Sequence, residues 1–198
     1  MQKWVTTDFL NHTLRKNEGQ VEQYYVENLH PTIIDRETWN AVQEELKRRN
    51  TYCEMHHLRV YAYRADKNPL NGKIVCARCG YTFARKAWVT RGIAYWTCKN
   101  DGCEGNIKEE VLQKAFITAW NYTVQNRERL LEYWKQMIEG GSSLEKIRGK
   151  QMIELTKEGK IDVFVPELMQ MVLEMIEVHD LEHFTVCFLD GTKKEILV

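Results

Sequence analysis

Apolar side chains recur at helical spacing in three parts of this chain. In the first part, Trp39, Val42 and Leu46 fall on one face and charged residues fall on the other. Asp35 precedes them and is a good N-cap residue, although Thr38 stands where the glutamate of a capping box would lie. The pattern predicts a helix from Asp35 to about Arg49.

A longer amphipathic pattern begins after Asn106, a possible N-cap, and predicts a helix from Ile107 to the Gly140-Gly141 pair. Ser142 or Ser143 can cap a second helix, whose apolar residues are Leu144, Ile147, Met152 and Leu155. A Gly-Gly-Ser-Ser connection predicts that these two helices form a short antiparallel hairpin within residues 107–160. A third helix is predicted to start at Pro166, and its apolar face would contain Met169, Val172, Leu173 and Ile176.

Alternating patterns and turn residues predict the strands. Residues 184–189 alternate, and Asp190-Gly191 is a strong hairpin turn into residues 192–197. Residues 73–75, 82–87 and 93–97 have the composition of three short strands, and residues 23–26 of a fourth. Residues 1–12 are interpreted as the end of a helix or a capped turn, and residues 15–19 as a polar turn.

Four cysteines form two knuckles, Cys76-Ala-Arg-Cys79 and Cys98-Lys-Asn-Asp-Gly-Cys103. Cysteines at this close spacing within two separated knuckles are typical of a tetrahedral zinc site, and the residues between them suit a β-hairpin. Because all four ligands are cysteine, no position is left for a reactive water, so one structural zinc ion is predicted. Disulfide bonds are the alternative, but the N-terminus has no apolar run of the kind found in signal peptides.

The zero net charge of this 198-residue chain hides a marked asymmetry. Residues 1–103 carry a net charge of +5 and residues 104–198 a net charge of −5. The segment Lys47–Lys99 has twelve basic residues and only two acids. Such a block favours a polyanionic partner, most commonly nucleic acid, although a solvated basic surface is the simpler alternative. The position of the zinc ribbon within this block favours nucleic acid.

Several kinds of chemistry have no counterpart in the sequence. There is no P-loop, no dinucleotide-binding fingerprint and no HExxH motif. The only serines are Ser142 and Ser143, and neither has a histidine or acid beside it in a nucleophile arrangement. His56-His57 could suggest a second metal site, but the four cysteines already complete the metal site, so a second metal is not expected. No apolar stretch approaches the length that crosses a bilayer.

Three segments resemble the large serine recombinases of phages and conjugative transposons. Residues 16–28 with 30–36 resemble the closing part of that family's recombinase domain. Residues 70–80, with Tyr95-Trp-Thr-Cys98 through Cys103, resemble its zinc β-ribbon, and residues 188–192 resemble its C-terminal hairpin. In that family a separate N-terminal domain carries the serine nucleophile. The resemblance therefore implies that this chain is a non-enzymatic C-terminal part of a DNA recombinase, whether a truncated frame, a remnant or an expressed piece.

The predicted fold class is α+β: a small zinc β-ribbon with flanking helices, including a short helical hairpin, and a C-terminal helix plus β-hairpin. The predicted organisation is 1–50 as the end of a recombinase domain, 51–68 as a basic linker, 69–106 as the ribbon, 107–160 as the helical hairpin and 161–198 as the segment completing the ribbon domain. Many family members insert a long coiled coil into the ribbon domain, whereas here only residues 107–158 are available, so any coiled coil would be short.

The expected partner is double-stranded DNA at an attachment site, bound during integration of a mobile element in the cytoplasm. Residues 107–158 could contact other recombinase subunits. Two rival interpretations are a zinc-ribbon adaptor for another protein, and a separately encoded part or competitor of an intact recombinase. The candidate DNA-binding residues on the linker and ribbon are Arg59, Arg64, Lys67, Arg78, Arg85, Lys86, Arg91 and Lys99.

Overall fold

A computed structural model describes residues 4–22, 33–62, 64–88, 93–103 and 105–198. Contacts divide the chain into two compact units, Met1–Asp35 and Arg36–Val198. The α+β fold class is confirmed: within the described ranges there are five helices and three sheets. The predicted strand at 23–26 lies outside the described residues, and so does the candidate Arg91.

The first unit contains a β-hairpin over residues 4–16, where the sequence predicted a helix end or a capped turn; the polar turn predicted at 15–19 has Gly19 at φ +110°, as expected. Strand β1 (Trp4–Asp8) pairs antiparallel with β2 (Thr13–Lys16). Both Asp8 carboxylate oxygens accept hydrogen bonds in the intervening turn, from the backbone N–H groups of Leu10 and Asn11 and from the Asn11 side chain. Of the two alternatives for residues 1–12, the capped turn is found at residues 9–12 and the helix end is wrong, because the short apolar–polar alternation was too weak to reveal the flanking strands.

The second unit begins with helix α1 (Arg36–Met55), which starts directly after Asp35 as predicted. It continues six residues beyond the predicted end at Arg49. Its Tyr52 side chain is buried and donates a hydrogen bond to the carbonyl of Gly72, which holds this additional turn on the domain. The polar composition of residues 50–55 concealed this extension, because only Tyr52 of that last stretch is fully buried.

Two sheets lie on either side of the metal-binding segment. A four-stranded sheet has the order β3-β7-β8-β9 and contains β3 (Ile74–Cys76), β7 (Leu173–Val178), β8 (His183–Phe188) and β9 (Lys193–Leu197). A three-stranded antiparallel sheet contains β4 (Phe83–Trp88), β5 (Ile93–Cys98) and β6 (Asn106–Lys108). The strand that leads into the first knuckle therefore belongs to a different sheet from the ribbon hairpin.

Helices α2 to α5 follow the ribbon. Their bounds are α2 (Glu109–Gln125), α3 (Arg127–Gly140), α4 (Ser143–Leu155) and α5 (Pro166–Val172). The long helix predicted from residue 107 is instead β6 followed by two helices that meet at Asn126. The hairpin of α3 and α4 forms as predicted, and Ser142 with Glu145 makes a complete capping box at its second helix.

The predicted third helix ends four residues early. Helix α5 stops at Val172, and Leu173–Val178 forms the central strand β7. Leu173 and Ile176 fit either a helical face or a strand, so periodicity alone could not decide between them. Pairing with β3 on one side and β8 on the other satisfies the backbone of this segment and favours the strand.

The hydrophobic core lies between α2 and the four-stranded sheet. Leu112, Phe116 and Trp120 of α2 are each at most 1% exposed, and they belong to the same core cluster as Phe184 and Phe188 of β8. Trp120 and Phe188 have their ring centroids 6.4 Å apart with the planes at 65°. The core also includes Cys76, so the metal-binding segment is fixed to the body of the domain.

Candidate metal centre and nucleic-acid interface

The four predicted cysteines converge on one point. The Sγ atoms of Cys76, Cys79, Cys98 and Cys103 all lie within 4.8 Å of one another. The Cys79–Cys98 and Cys76–Cys103 sulfur pairs are 3.5 Å and 3.9 Å apart. A tetrahedral ion with Zn–S bonds of about 2.3 Å requires sulfur–sulfur edges of about 3.8 Å. The arrangement fits one structural zinc ion, and the cofactor prediction is confirmed.

The ends of two strands and the turns that follow supply these ligands. Cys76 ends β3, and the backbone then reverses through Gly80, whose φ is +75°. The Gly80 N–H donates to the Cys76 carbonyl at 2.8 Å, which closes the first knuckle. Cys98 ends β5, and the N–H of Cys103 donates to the carbonyl of Asn100 to close the second. Gly80 needs the left-handed conformation that glycine permits, whereas Gly102 does not adopt it.

Burial and hydrogen bonding shift the thiol pKa values in opposite directions. Burial raises the pKa of Cys98 to about 12, and the neighbouring sulfurs add to the increase. Burial also acts to raise the pKa of Cys79, but the Tyr81 N–H and the other thiols outweigh it and bring that pKa to about 7. Zinc binds thiolates, so uptake of the ion releases the remaining thiol protons.

The two histidines before the ribbon pack against the first knuckle. The Nδ1 atom of His56 lies 2.9 Å from the Gly80 carbonyl, and the residue is buried. The His57 ring stacks on Tyr81, with centroids 4.1 Å apart and planes at 19°. Both rings are therefore used to join the end of α1 to the knuckle. The four cysteines are the only metal-ligating group of three or more side chains found among the described residues.

The candidate DNA-binding residues differ in their exposure and in their hydrogen-bond and ion-pair partners. Arg59, Arg78 and Lys86 are exposed. Arg59 lines the same cleft as Lys99, whose Nζ atom donates to the Thr82 hydroxyl at 2.9 Å and whose pKa is lowered by burial. These two cations and the residues 57, 58 and 60 line an open cleft of about 700 Å³.

Arg85 is the more constrained candidate. Arg85 forms an ion pair with Glu109, Nε to Oε2 at 2.5 Å, and Trp96 donates to the same oxygen. This pair fastens the ribbon hairpin to the start of α2. Lys67 is exposed near the same pair, and Arg64 is exposed in a left-handed backbone conformation with φ of +54°.

A buried cationic cluster beneath the basic loop was not predicted. Arg48 donates to Glu45, to Glu174 and to the Tyr61 hydroxyl, the last at 2.9 Å. Lys73 is 5% exposed, and its Nζ atom donates to the same hydroxyl at 3.0 Å. The sequence offered one sign of this cluster: Lys73 directly precedes the apolar residues Ile74 and Val75. A lysine buried beside such residues needs hydrogen-bonding partners.

Comparison with known families agrees with this geometry. The family described as Recombinase zinc beta ribbon domain matches residues 69–121, and the family described as Recombinase matches residues 2–49. The two matches follow each other in the order that the sequence resemblance predicted. No curated protein matches the chain significantly, and no solved structure does. No described helix combines the length and apolar character needed to span a bilayer. The two matches together indicate the serine recombinase family, with the end of the recombinase domain followed by the zinc ribbon.

Proposed function

We propose that this chain is the part of a site-specific serine recombinase that recognises attachment-site DNA, acting in the integration of a mobile element. The single observation that carries the proposal is a basic block, Lys47–Lys99, built around a recombinase zinc ribbon. Its twelve cations would attract the phosphate backbone of duplex DNA, and each phosphate neutralised would release counterions.

Exposure divides the proposed contacts. Six of the proposed contacts are exposed, which favours direct contact with DNA: Arg59, Arg64, Lys67, Arg78, Lys86 and Lys99. Arg91 is a further proposed contact. Arg85 would have to leave Glu109 before it could contact a base. Its substitution is therefore expected to affect the attachment of the hairpin to α2 more than DNA affinity.

We also propose that this chain does not itself cut or join DNA. The Ser142 hydroxyl accepts a hydrogen bond from the Glu145 N–H as the N-cap of α4, and Ser143 is the first residue of that helix. Serine recombination requires a serine that attacks a phosphate, whereas the Ser142 side chain is held at the helical hairpin by hydrogen bonds with the Glu145 N–H and the Glu44 carboxylate. A covalent protein–DNA adduct formed by the chain on duplex DNA would contradict this proposal.

Titration of a fluorescent duplex at several salt concentrations tests the DNA-binding proposal. Each phosphate contact should add about −0.9 to the slope of log K against log salt, so several contacts would weaken binding steeply. Replacing Arg59 and Arg64 together by Ala should weaken all duplexes similarly and flatten the slope.

A matched control removes the same charge outside the basic block. The exposed Lys157 and Lys160 lie at and beyond the end of α4, and their replacement by Ala should leave the salt slope nearly unchanged. If the zinc-loaded chain binds no duplex even at low salt, or if the Arg59 and Arg64 replacements change nothing, the proposal fails. An adaptor that binds protein then becomes the better interpretation.

Two further parts of the proposal concern location and assembly. A thiolate zinc site favours a reducing compartment, so we place the protein in the cytoplasm.

Contacts with other recombinase subunits are proposed for residues 107–158. Arg148 of α4 already pairs with Glu45 of α1, so such contacts would use another face of the helical hairpin, where Ile147 is 39% exposed.

A further inference from the structure

The loop between α1 and β3 has an unusual backbone. Residues 56–68, apart from Tyr63, which lies outside the described residues, contain three non-glycine residues with positive φ: His57, Ala62 and Arg64. In the rest of the described chain only His12 shares this property. Left-handed conformations cost energy for residues with a Cβ atom and persist only where surrounding contacts enforce them. Contacts at both ends of the loop must therefore hold it in this shape.

One set of contacts lies at the metal centre. The His56 ring is hydrogen-bonded to Gly80, and the His57 ring stacks on Tyr81. The second set lies at Tyr61, whose hydroxyl oxygen accepts hydrogen bonds from both Arg48 and Lys73. Tyr61 is only partly exposed, and its ring packs edge-on against Tyr52 of α1 at a centroid distance of 5.5 Å.

The cations around Tyr61 hold its side chain in place and so restrain the loop. The guanidinium carbons of Arg48 and Arg49 lie 5.2 Å and 5.0 Å from its ring centroid. Burial acts to raise the pKa of the phenol, but Lys73 and Arg48 outweigh it, so the pKa lies below its ordinary value. Lys73 is in turn fixed by donating to the Leu173 carbonyl of β7. A chain of charge-assisted hydrogen bonds thus fastens the loop to the sheet.

Arg59 lies between these two sets of contacts. Its side chain lines the open cleft together with Lys99 of the second knuckle. We propose that Tyr61 is a positioning residue that holds the loop so that Arg59 and Lys99 bind the DNA phosphate backbone together across this cleft. The proposal rests on the proposed DNA-binding function. Tyr61 need not touch DNA, because it acts through the placement of Arg59.

A double-mutant cycle on the zinc-loaded chain tests this role, with a fluorescein-labelled duplex at low salt as the probe. Tyr61→Phe should weaken binding by at least about tenfold, because two hydrogen bonds to charged groups, from Arg48 and Lys73, are lost. Arg59→Ala should weaken wild-type binding and reduce the salt slope by about 0.9. In the Tyr61→Phe background, the same arginine replacement should cost at least about threefold less, because the side chain is no longer held in place.

Tyr133→Phe is the matched control, because its hydroxyl also makes a hydrogen bond, to the Asp190 carbonyl at 2.7 Å, but lies on α3. It should bind DNA as the wild type does. Ala62→Gly is a second variant that keeps all side-chain contacts of the loop. It relieves a strained residue and loosens the loop, so stability should not fall while DNA affinity drops by about threefold.

The outcomes separate the two proposals. If the wild type binds no duplex, the proposed function fails. If the wild type binds and Tyr61→Phe binds equally well, or if the two replacements act independently, only the positioning role fails. Zinc content and urea unfolding of each variant show whether it is folded. If Tyr61→Phe does not fold, unchanged DNA affinity of Ala62→Gly overturns the positioning role.

Discussion

Asp190 joins the C-terminal hairpin to the helical hairpin. Its carboxylate accepts from the Trp134 indole N–H at 2.7 Å and from both the backbone N–H and the hydroxyl of Thr192. Asp190 and Trp134 are 3% and 0% exposed. Asp190→Ala would leave the buried indole without an acceptor, and unfolding in urea should show a loss of about 2–3 kcal/mol.

Asp180 provides the control for that measurement. It also accepts two backbone N–H bonds, from Glu182 and His183, but it lies in an exposed turn between β7 and β8. Asp180→Ala should therefore destabilise the protein by less than about 1 kcal/mol, because water replaces the lost acceptor. Equal losses in the two variants would contradict the role assigned to Asp190.

Glu45 should give the protein a pH-dependent stability. Burial acts to raise its pKa, but hydrogen bonds from Arg48 and Arg49 and the charge of Arg148 lower it from 4.5 to about 2. Because the folded pKa is depressed, the carboxylate stabilises the fold above pH 4.5, and this contribution is lost as the pH falls from 4.5 towards 2. Glu45→Gln should destabilise the protein by about 2 kcal/mol at pH 7, and the difference should narrow in acid.

The comparison with wild type at each pH separates this effect from acid release of zinc, which both proteins share. Glu154→Gln is the control, because its ion pair with Lys157 is exposed and should matter little at any pH. If the difference between Glu45→Gln and wild type stayed constant as the pH fell from 4.5 to 3, the depressed pKa would not be stabilising the fold.

At the residue scale, the sequence predicted the metal site far better than the polar clusters. Cys76 and Cys79 have a local spacing that zinc requires, so their role could be derived without knowing the fold. Tyr61 and Lys73 meet Arg48 only after α1, the loop and β3 have folded together. No local pattern marks such a meeting, so this cluster could not be predicted.

At the element scale, the helical hairpin depends on one close approach. A Cβ atom at Gly149 of α4 would lie 2.8 Å from the Trp134 carbonyl oxygen and 3.1 Å from Cγ1 of Ile138, both on α3. Gly149→Ala should force the two helices apart and destabilise the protein by about 1–3 kcal/mol. Gly140→Ala is the control, since a Cβ atom there meets nothing within 4 Å, and it should be neutral or slightly stabilising. Thermal unfolding of both variants tests this prediction. Equal melting temperatures for Gly149→Ala and Gly140→Ala would show that the close approach at Gly149 does not limit the packing of the two helices.

The accuracy of the predicted elements followed the strength of their local signals. The hairpin at Asp190-Gly191 and the capped start of α4 at Ser142 were predicted correctly because turn and capping residues act over a few positions. Strand β7 was missed because its identity depends on pairing with β3, about a hundred residues earlier. The break between α2 and α3 carries no proline or glycine, so Asn126 gave no signal.

At the scale of the whole molecule, zinc should be required for folding of the ribbon within the second unit. Cys98→Ser removes one of four ligands, so the variant should lose the metal and unfold the ribbon, residues 69–106. Elemental analysis should give about one zinc per wild-type chain. Cys53→Ser is the control, because that thiol lies outside the cluster and the variant should keep its zinc. Full zinc stoichiometry in Cys98→Ser would refute the ligand assignment.

The parallel pairing of β3 with β7 also dictates an order of events during synthesis. The ribosome releases all four zinc ligands long before Leu173–Val178 emerges, so a nascent chain can capture the metal while one edge of β3 still lacks its neighbour. An unpaired strand edge invites association with other chains. The interval between metal capture and completion of the C-terminal strands is therefore the period in which this protein most needs a chaperone, and a message ending before Leu173 would prolong it indefinitely.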